Sequence, residues 1–228
     1  MKLSNMKRHL TAGFILIIFA ANPARAEFPS YADQSTFTSD LKRAALLSNL
    51  PNLKGSNHYL GLKLSGASTI FSDGLLAIPD VRLSIYPNPG YNIWTQFSTW
   101  PGDTPSFSVG TGAQVVFFNE DGRSEQAIGF SWNTIFGESH RQRDINLHAM
   151  YSRLAASWEY GMLLILDMHH VILEENIGLN SYDGNMIHFA PYIKLMKNET
   201  RHMSLIIPFS AHGMAARLSI EWLLGRRE

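Results

Sequence analysis

Histidine, aspartate and serine held close together are the raw material of hydrolytic and metal chemistry. One stretch of this 228-residue chain concentrates the first two. His169 and His170 are adjacent, Asp167 stands two residues earlier, and Glu174 and Glu175 follow. In an extended chain adjacent side chains point to opposite faces. The two histidines therefore cannot ligate one metal without a bulge, and no metal or other cofactor is expected. A histidine with an acid and a serine on neighbouring strands would make a nucleophile–base–acid triad. His169, His170 and Asp167 are the candidates for it, and no serine can be singled out as their partner.

A second polar set is spread along the chain: Lys63, Arg82, Gln96, Gln114, His148, Asp167, His169, His188, Tyr192, Lys194, His202, Arg217 and Glu221. Each falls on the polar side of an alternating segment. Charges gathered in an interior need partners, and this set carries both signs. It reads as an ionic network filling a narrow lumen, or as the lining of a small polar channel. Arg217 and Glu221 would lie beside Lys63 if the last strand closes on the first.

The elements that position these residues repeat with period two, the period of a strand. Ten runs of strand length follow one another: 57–71, 79–86, 91–99, 106–118, 124–136, 143–156, 159–173, 185–196, 201–209 and 213–224. In 79–86, Val81, Leu83 and Ile85 oppose Asp80, Arg82 and Ser84. In 124–136, Ile128, Phe130 and Trp132 oppose Gly129, Ser131 and Asn133. In the first run Tyr59 falls with Lys63 and Ser65. Arg153 falls on an apolar face, which a bulge would repair. Tight connections at 87–90, 119–122, 158–161 and 197–200 alternate with longer ones at 72–78, 101–105, 137–142 and 174–184; Ala211–Gly213 is short. Aromatic residues gather near the ends of runs, among them Tyr86, Tyr91, Phe117, Phe118, Trp158, Tyr160 and Trp222.

Ten faces rich in Leu, Ile, Phe and Trp would overfill the inside of a small barrel. Turned outward they suit lipid, with the small and ionised faces inside. Peptide groups at an open edge would be unpaired in hydrocarbon, so such a sheet must close. The expected fold is all-β: a closed antiparallel up-and-down transmembrane β-barrel of about ten strands, or eight if two runs are not spans.

The N-terminus reads as a secretory signal. Lys2, Lys7 and Arg8 precede an apolar run from Ala12 to Ala21, and Ala24-Arg25-Ala26 offers a small-x-small cleavage site. The run is shorter than the roughly 20 residues a spanning helix needs. Four bases and no acid lie in the first 26 residues, so the neutral chain becomes acidic, with 15 bases against 19 acids, once they are removed. That balance offers no basic face and no nucleic-acid partner is expected, and the absence of cysteine excludes disulfides and thiolate metal sites. Residues 27–56 form a lead-in with a short helix from Asp40 to Leu50, ended by Pro51. The chain thus divides into a signal (1–26), a lead-in (27–56), a barrel (57–224) and a tail (225–228).

Over residues 57 to 224 this pattern resembles the small outer-membrane β-barrel proteins of Gram-negative bacteria. The resemblance implies delivery to the cell outer membrane, contact with its lipids and lipopolysaccharide, and insertion by the barrel-assembly machinery. Such barrels commonly end on an aromatic residue that this machinery reads; here Trp222 is followed by six more residues. The expected role is structural, adhesive or that of a narrow pore. The alternatives are an integral enzyme modifying lipid or lipopolysaccharide, and a soluble periplasmic barrel holding a small apolar ligand.

Overall fold

The computed structural model describes residues 58–71, 74–100, 106–120, 123–137, 140–155, 157–173, 181–198, 200–211 and 213–226. The signal and the helical lead-in lie outside the described residues.

One antiparallel sheet contains β1 (His58–Phe71), β2 (Gly74–Asn88), β3 (Tyr91–Trp100), β4 (Ser106–Phe118), β5 (Ser124–Phe136), β6 (His140–Ala155), β7 (Trp158–Leu173), β8 (Ser181–Asn198), β9 (Arg201–Ile206), β10 (Phe209–Ser210) and β11 (Gly213–Arg226). From β1 to β8 each pairs with the next, β9 and β10 both lie between β8 and β11, and β11 returns to pair with β1, so the sheet is closed. Strands β9 and β10 form one span interrupted at Ile207-Pro208, where proline lacks the ladder N–H. Ile207 N still donates to Pro191 O at 3.0 Å, and Ala215 N to Pro208 O at 2.9 Å. The architecture is a closed ten-span up-and-down barrel.

The register fixes its shape. From Lys63 the ladder leads through Arg82, Gln96, Gly110, Asn133, Asp144 and His169 to Gly184 on β8. The other way it leads through Glu221 and His202 to Met196 on the same strand, twelve residues further on. Ten spans with that stagger tilt by roughly 40°.

Burial is inverted relative to a soluble barrel. Leu83 is 46 % exposed and Phe130 55 %, whereas Arg82 between the β2 apolar side chains is 1 % exposed. Leu83, Phe130 and Ile220 all stand on the outer face, which overturns the reading of a soluble barrel with an apolar centre. On β6 the outward residues Ile145, Leu147, Ala149 and Tyr151 are bracketed by the outward arginines Arg143 and Arg153. Ten residues at about 3.3 Å, tilted by roughly 40°, span about 25 Å along the barrel axis, the height of a lipid-facing apolar band. Tyr59, Tyr91, Phe117, Phe118, Trp158 and Tyr160 are exposed at the end where β1 starts, β11 stops and the connections after β2, β4, β6 and β8 lie.

Several local expectations are corrected. Arg153 needs no bulge: the β5–β6 and β6–β7 registers run unbroken through it, to Ser124 and Tyr160, because an arginine at the band's edge can face out. The register irregularities lie instead at Ile85/Asn88 and Met196/Asn198, beside tight turns. Tyr59 is exposed at the barrel rim, and Tyr86 points in rather than joining the aromatic belt. The long connection expected at 72–78 shrinks to two residues, since β2 begins at Gly74. The reversal placed at 158–161 lies earlier, between Ala155 and Trp158, and β11 continues to Arg226.

Candidate functional site

Strict alternation sends every second residue inward, and the small barrel gathers those residues into one polar core. Lys63, Arg82, Gln114, His148, Asp167, His188, Lys194, Arg217 and Glu221 are all buried inside it, as are Gln96, His169, Tyr192 and His202. Asp80, Asp144 and Glu159, which sequence reasoning left out of the candidate set, join them. Their parity was the available signal, since Asp80 alternates with Arg82 and Asp144 with Asn146. The buried bases Lys63, Arg82, Lys194 and Arg217 face five buried acids: Asp80, Asp144, Glu159, Asp167 and Glu221.

The charges are arranged in groups. Near mid-barrel, Asp80 accepts a hydrogen bond from Ser65 Oγ and pairs with Arg217, Nη2 to Oδ2 at 3.3 Å. Arg82 Nη2 donates to Gln96 Oε1, and its guanidinium lies 5.5 Å from the ring centroid of Trp94. Trp94 in turn meets the His148 ring at 5.9 Å. Glycines make this possible: a Cβ at Gly112 would overlap the Trp94 indole, and one at Gly129 would stand 2.6 Å from His148 Nε2. Trp94 was not singled out in the sequence, although it shares the parity of Asn92 and Gln96.

Lower in the barrel, Glu221 accepts from Tyr86 OH at 2.9 Å, lies 3.8 Å from His202 Nδ1, and is the register partner of Lys63. Tyr192 OH donates to Glu159 Oε1 at 3.0 Å, and Glu159 is the register partner of Lys194. Towards the other end, Asp167 Oδ2 lies 3.6 Å from His169 Nδ1 and 3.7 Å from His188 Nε2. Gln142 Nε2 donates to Asp144 at 2.7 Å beside them. Among the described residues no group of three or more His, Asp or Glu side chains is arranged to hold a metal.

The interior is not polar throughout. Val116, Ala127, Met150, Leu163, Ile165, Ala190 and Ile206 point inward and form an apolar cluster with Tyr192. It lies on β4 to β9, across the lumen from Lys63, Arg82 and Arg217 on β1, β2 and β11. Leu163, Ala190 and Ile206 are fully buried, as Arg82 and Trp94 nearly are, so side chains fill the barrel at this level.

The structure separates the proposed hydrolytic residues. Asp167 and His169 face the lumen, while His170 faces out and is half-buried. Its Nδ1 lies 2.5 Å from Asp183 Oδ1 on β8. Among the described residues no serine hydroxyl is hydrogen-bonded to His170.

No family model and no curated protein matches the sequence. Among solved structures, the chain is similar to the KdgM porin at 8% identity and a TM-score of 0.38, covering 71% of this chain and 98% of that one. It is similar to the translocator domain of the autotransporter NalP from Neisseria meningitidis at 11% identity and a TM-score of 0.45, covering 82% and 96%. The N-terminal β-barrel domain of Pseudomonas aeruginosa OprF gives 9% identity and a TM-score of 0.33, covering 74% and 98%.

Proposed function

We propose that this chain is an outer-membrane barrel that serves as a closed structural or adhesive scaffold and not as an open pore. The filled lumen carries this reading. Arg82, Asp80, Arg217 and Trp94 are buried on one wall, and Leu163, Ala190 and Ile206 on the other. A solute would have to displace both a paired charge network and packed apolar side chains. The outward Leu, Ile and Phe faces and the apolar band on β6 support the membrane location, and the N-terminal signal segment supports export.

Reconstitution tests it. The barrel is expected to show heat-modifiable gel mobility, because a closed sheet resists detergent until boiled. In planar bilayers the same material is expected to give no stable conductance step. A large, steady conductance would overturn the closed-scaffold reading while leaving the barrel intact.

A further inference from the structure

On the outer face of β6, at the end opposite the start of β1 and the end of β11, Arg141 and Arg143 are both exposed. They are two residues apart on the same side of the sheet, about 7 Å along the strand. Arg143 is the register partner of His170 on β7, and His170 that of Asp183 on β8. Arg141 lies over the Phe136 ring at 5.2 Å, and Phe136 stacks on Phe107 at 4.9 Å. Stacking fixes the guanidinium plane while its edge N–H groups remain free to bind. Among the described residues neither arginine forms an ion pair, and the carboxylate at Asp183 is taken by His170. Thr134, paired with Arg143 on β5, and Asn185 and Ser181 on β8 bring no charge. Two fixed positive charges therefore stand at the upper edge of the apolar band, beside an aromatic shelf. A cation pair there is matched by an anion held at the boundary between acyl chains and water.

We infer that Arg141, Arg143 and His170 form a binding site for the phosphate of a phosphorylated glycolipid in the surrounding leaflet. The guanidinia take the phosphate oxygens, and Phe107 and Phe136 pack against the first part of the acyl chains. Asp183 restrains the site, because its carboxylate repels the phosphate and occupies the imidazole. This inference rests on the membrane reading above.

The test uses the folded full chain in detergent micelles, with tryptophan fluorescence as the binding signal. The probes are bis-phosphorylated lipid A, the same lipid with its phosphates removed, and inorganic phosphate. The phosphorylated lipid is expected to bind at least about tenfold more tightly than the dephosphorylated one, and Arg141→Gln with Arg143→Gln to remove that difference. Asp183→Asn is expected to tighten binding, and Arg153→Gln at the opposite edge to leave it unchanged. Inorganic phosphate at millimolar concentration is expected not to compete; effective competition would make this a free-anion site and overturn the lipid assignment. Equal binding of the two lipids, or undiminished binding by the double variant, overturns the inference. If the double variant does not fold, the Asp183→Asn result decides. Heat-modifiable mobility of the wild-type chain reports on the membrane reading separately, so the two failures are distinguishable.

Discussion

Glu221 shows how a single carboxylate can hold the seam of a closed sheet. It sits on the last strand, pairs in register with Lys63 on the first, and accepts from Tyr86 on the second. Removing a buried charge leaves its partner uncompensated, which costs far more than the pair contributes. Glu221→Ala is expected to destabilise the barrel by roughly 3–5 kcal/mol, because Lys63 remains buried beside Arg82 and Arg217. Replacing both partners by methionine is expected to recover most of that loss. Urea unfolding in vesicles, followed by tryptophan fluorescence, reads both; a cost below about 1 kcal/mol for Glu221→Ala would remove Glu221 from its central place. Lys63, Arg82, Arg217 and Glu221 could be read as interior from parity alone. Closure alone also placed Glu221 and Arg217 on the strand beside Lys63, as the β1–β11 pairing has them. The contacts of Asp80 with Arg217 and of Tyr86 with Glu221 were not legible, because they depend on the register between strands, which no local pattern encodes. Tyr86 and Trp94 escaped for a different reason. An aromatic side chain suits both a lipid belt and a packed interior; parity with Asn92 and Gln96, and the glycines opposite, decide for Trp94.

At the scale of one element, β6 displays the rule that the other strands follow. Its inward residues Gln142, Asp144, Asn146 and His148 are polar, and its outward ones are apolar between Arg143 and Arg153. The strand was legible because alternation is strict over its whole length. What misled was Arg153, where a charge on the apolar face suggested a bulge. The charge marks instead the depth at which the face leaves the hydrocarbon. The cost of an arginine on a lipid-facing strand depends on that depth: about 2–4 kcal/mol at the midplane and about 0–1 kcal/mol at the edges. Leu147→Arg, at the centre of the band, is expected to destabilise the folded barrel in vesicles by that larger amount. Ser152→Arg is expected to be at least as damaging, because it points into the filled interior. A neutral Leu147→Arg would mean that this face does not meet lipid. The span formed by β9 and β10 is the one element the pattern misjudged as continuous, since Pro208 alternates correctly yet cannot donate to its neighbour.

For the whole molecule, an even number of spans puts the start of β1 and the end of β11 on one side, and His58 is the register partner of Arg226 there. The connections after β2, β4, β6 and β8 share that side. Those after β1, β3, β5, β7 and β10 share the other, where Arg141, Arg143 and His170 lie. A chain exported by an N-terminal signal and inserted from the periplasm is expected to leave its two ends behind in that compartment, with the second set of connections facing outward. The chain has no cysteine, so single introduced thiols report position without background. Ala211 and Thr200 are exposed turn residues at opposite ends of the barrel. Ala211→Cys is expected to react with a membrane-impermeant maleimide on intact cells. Thr200→Cys is expected to react only after the outer membrane is permeabilised. The reverse pattern would invert the molecule and place the arginine pair in the inner leaflet of that membrane. A lipid A site could not then exist there, although the barrel and its filled lumen would be unaffected. Equal labelling of both thiols on intact cells would mean that the chain does not separate two compartments, and the inverted burial would then need a different apolar surrounding.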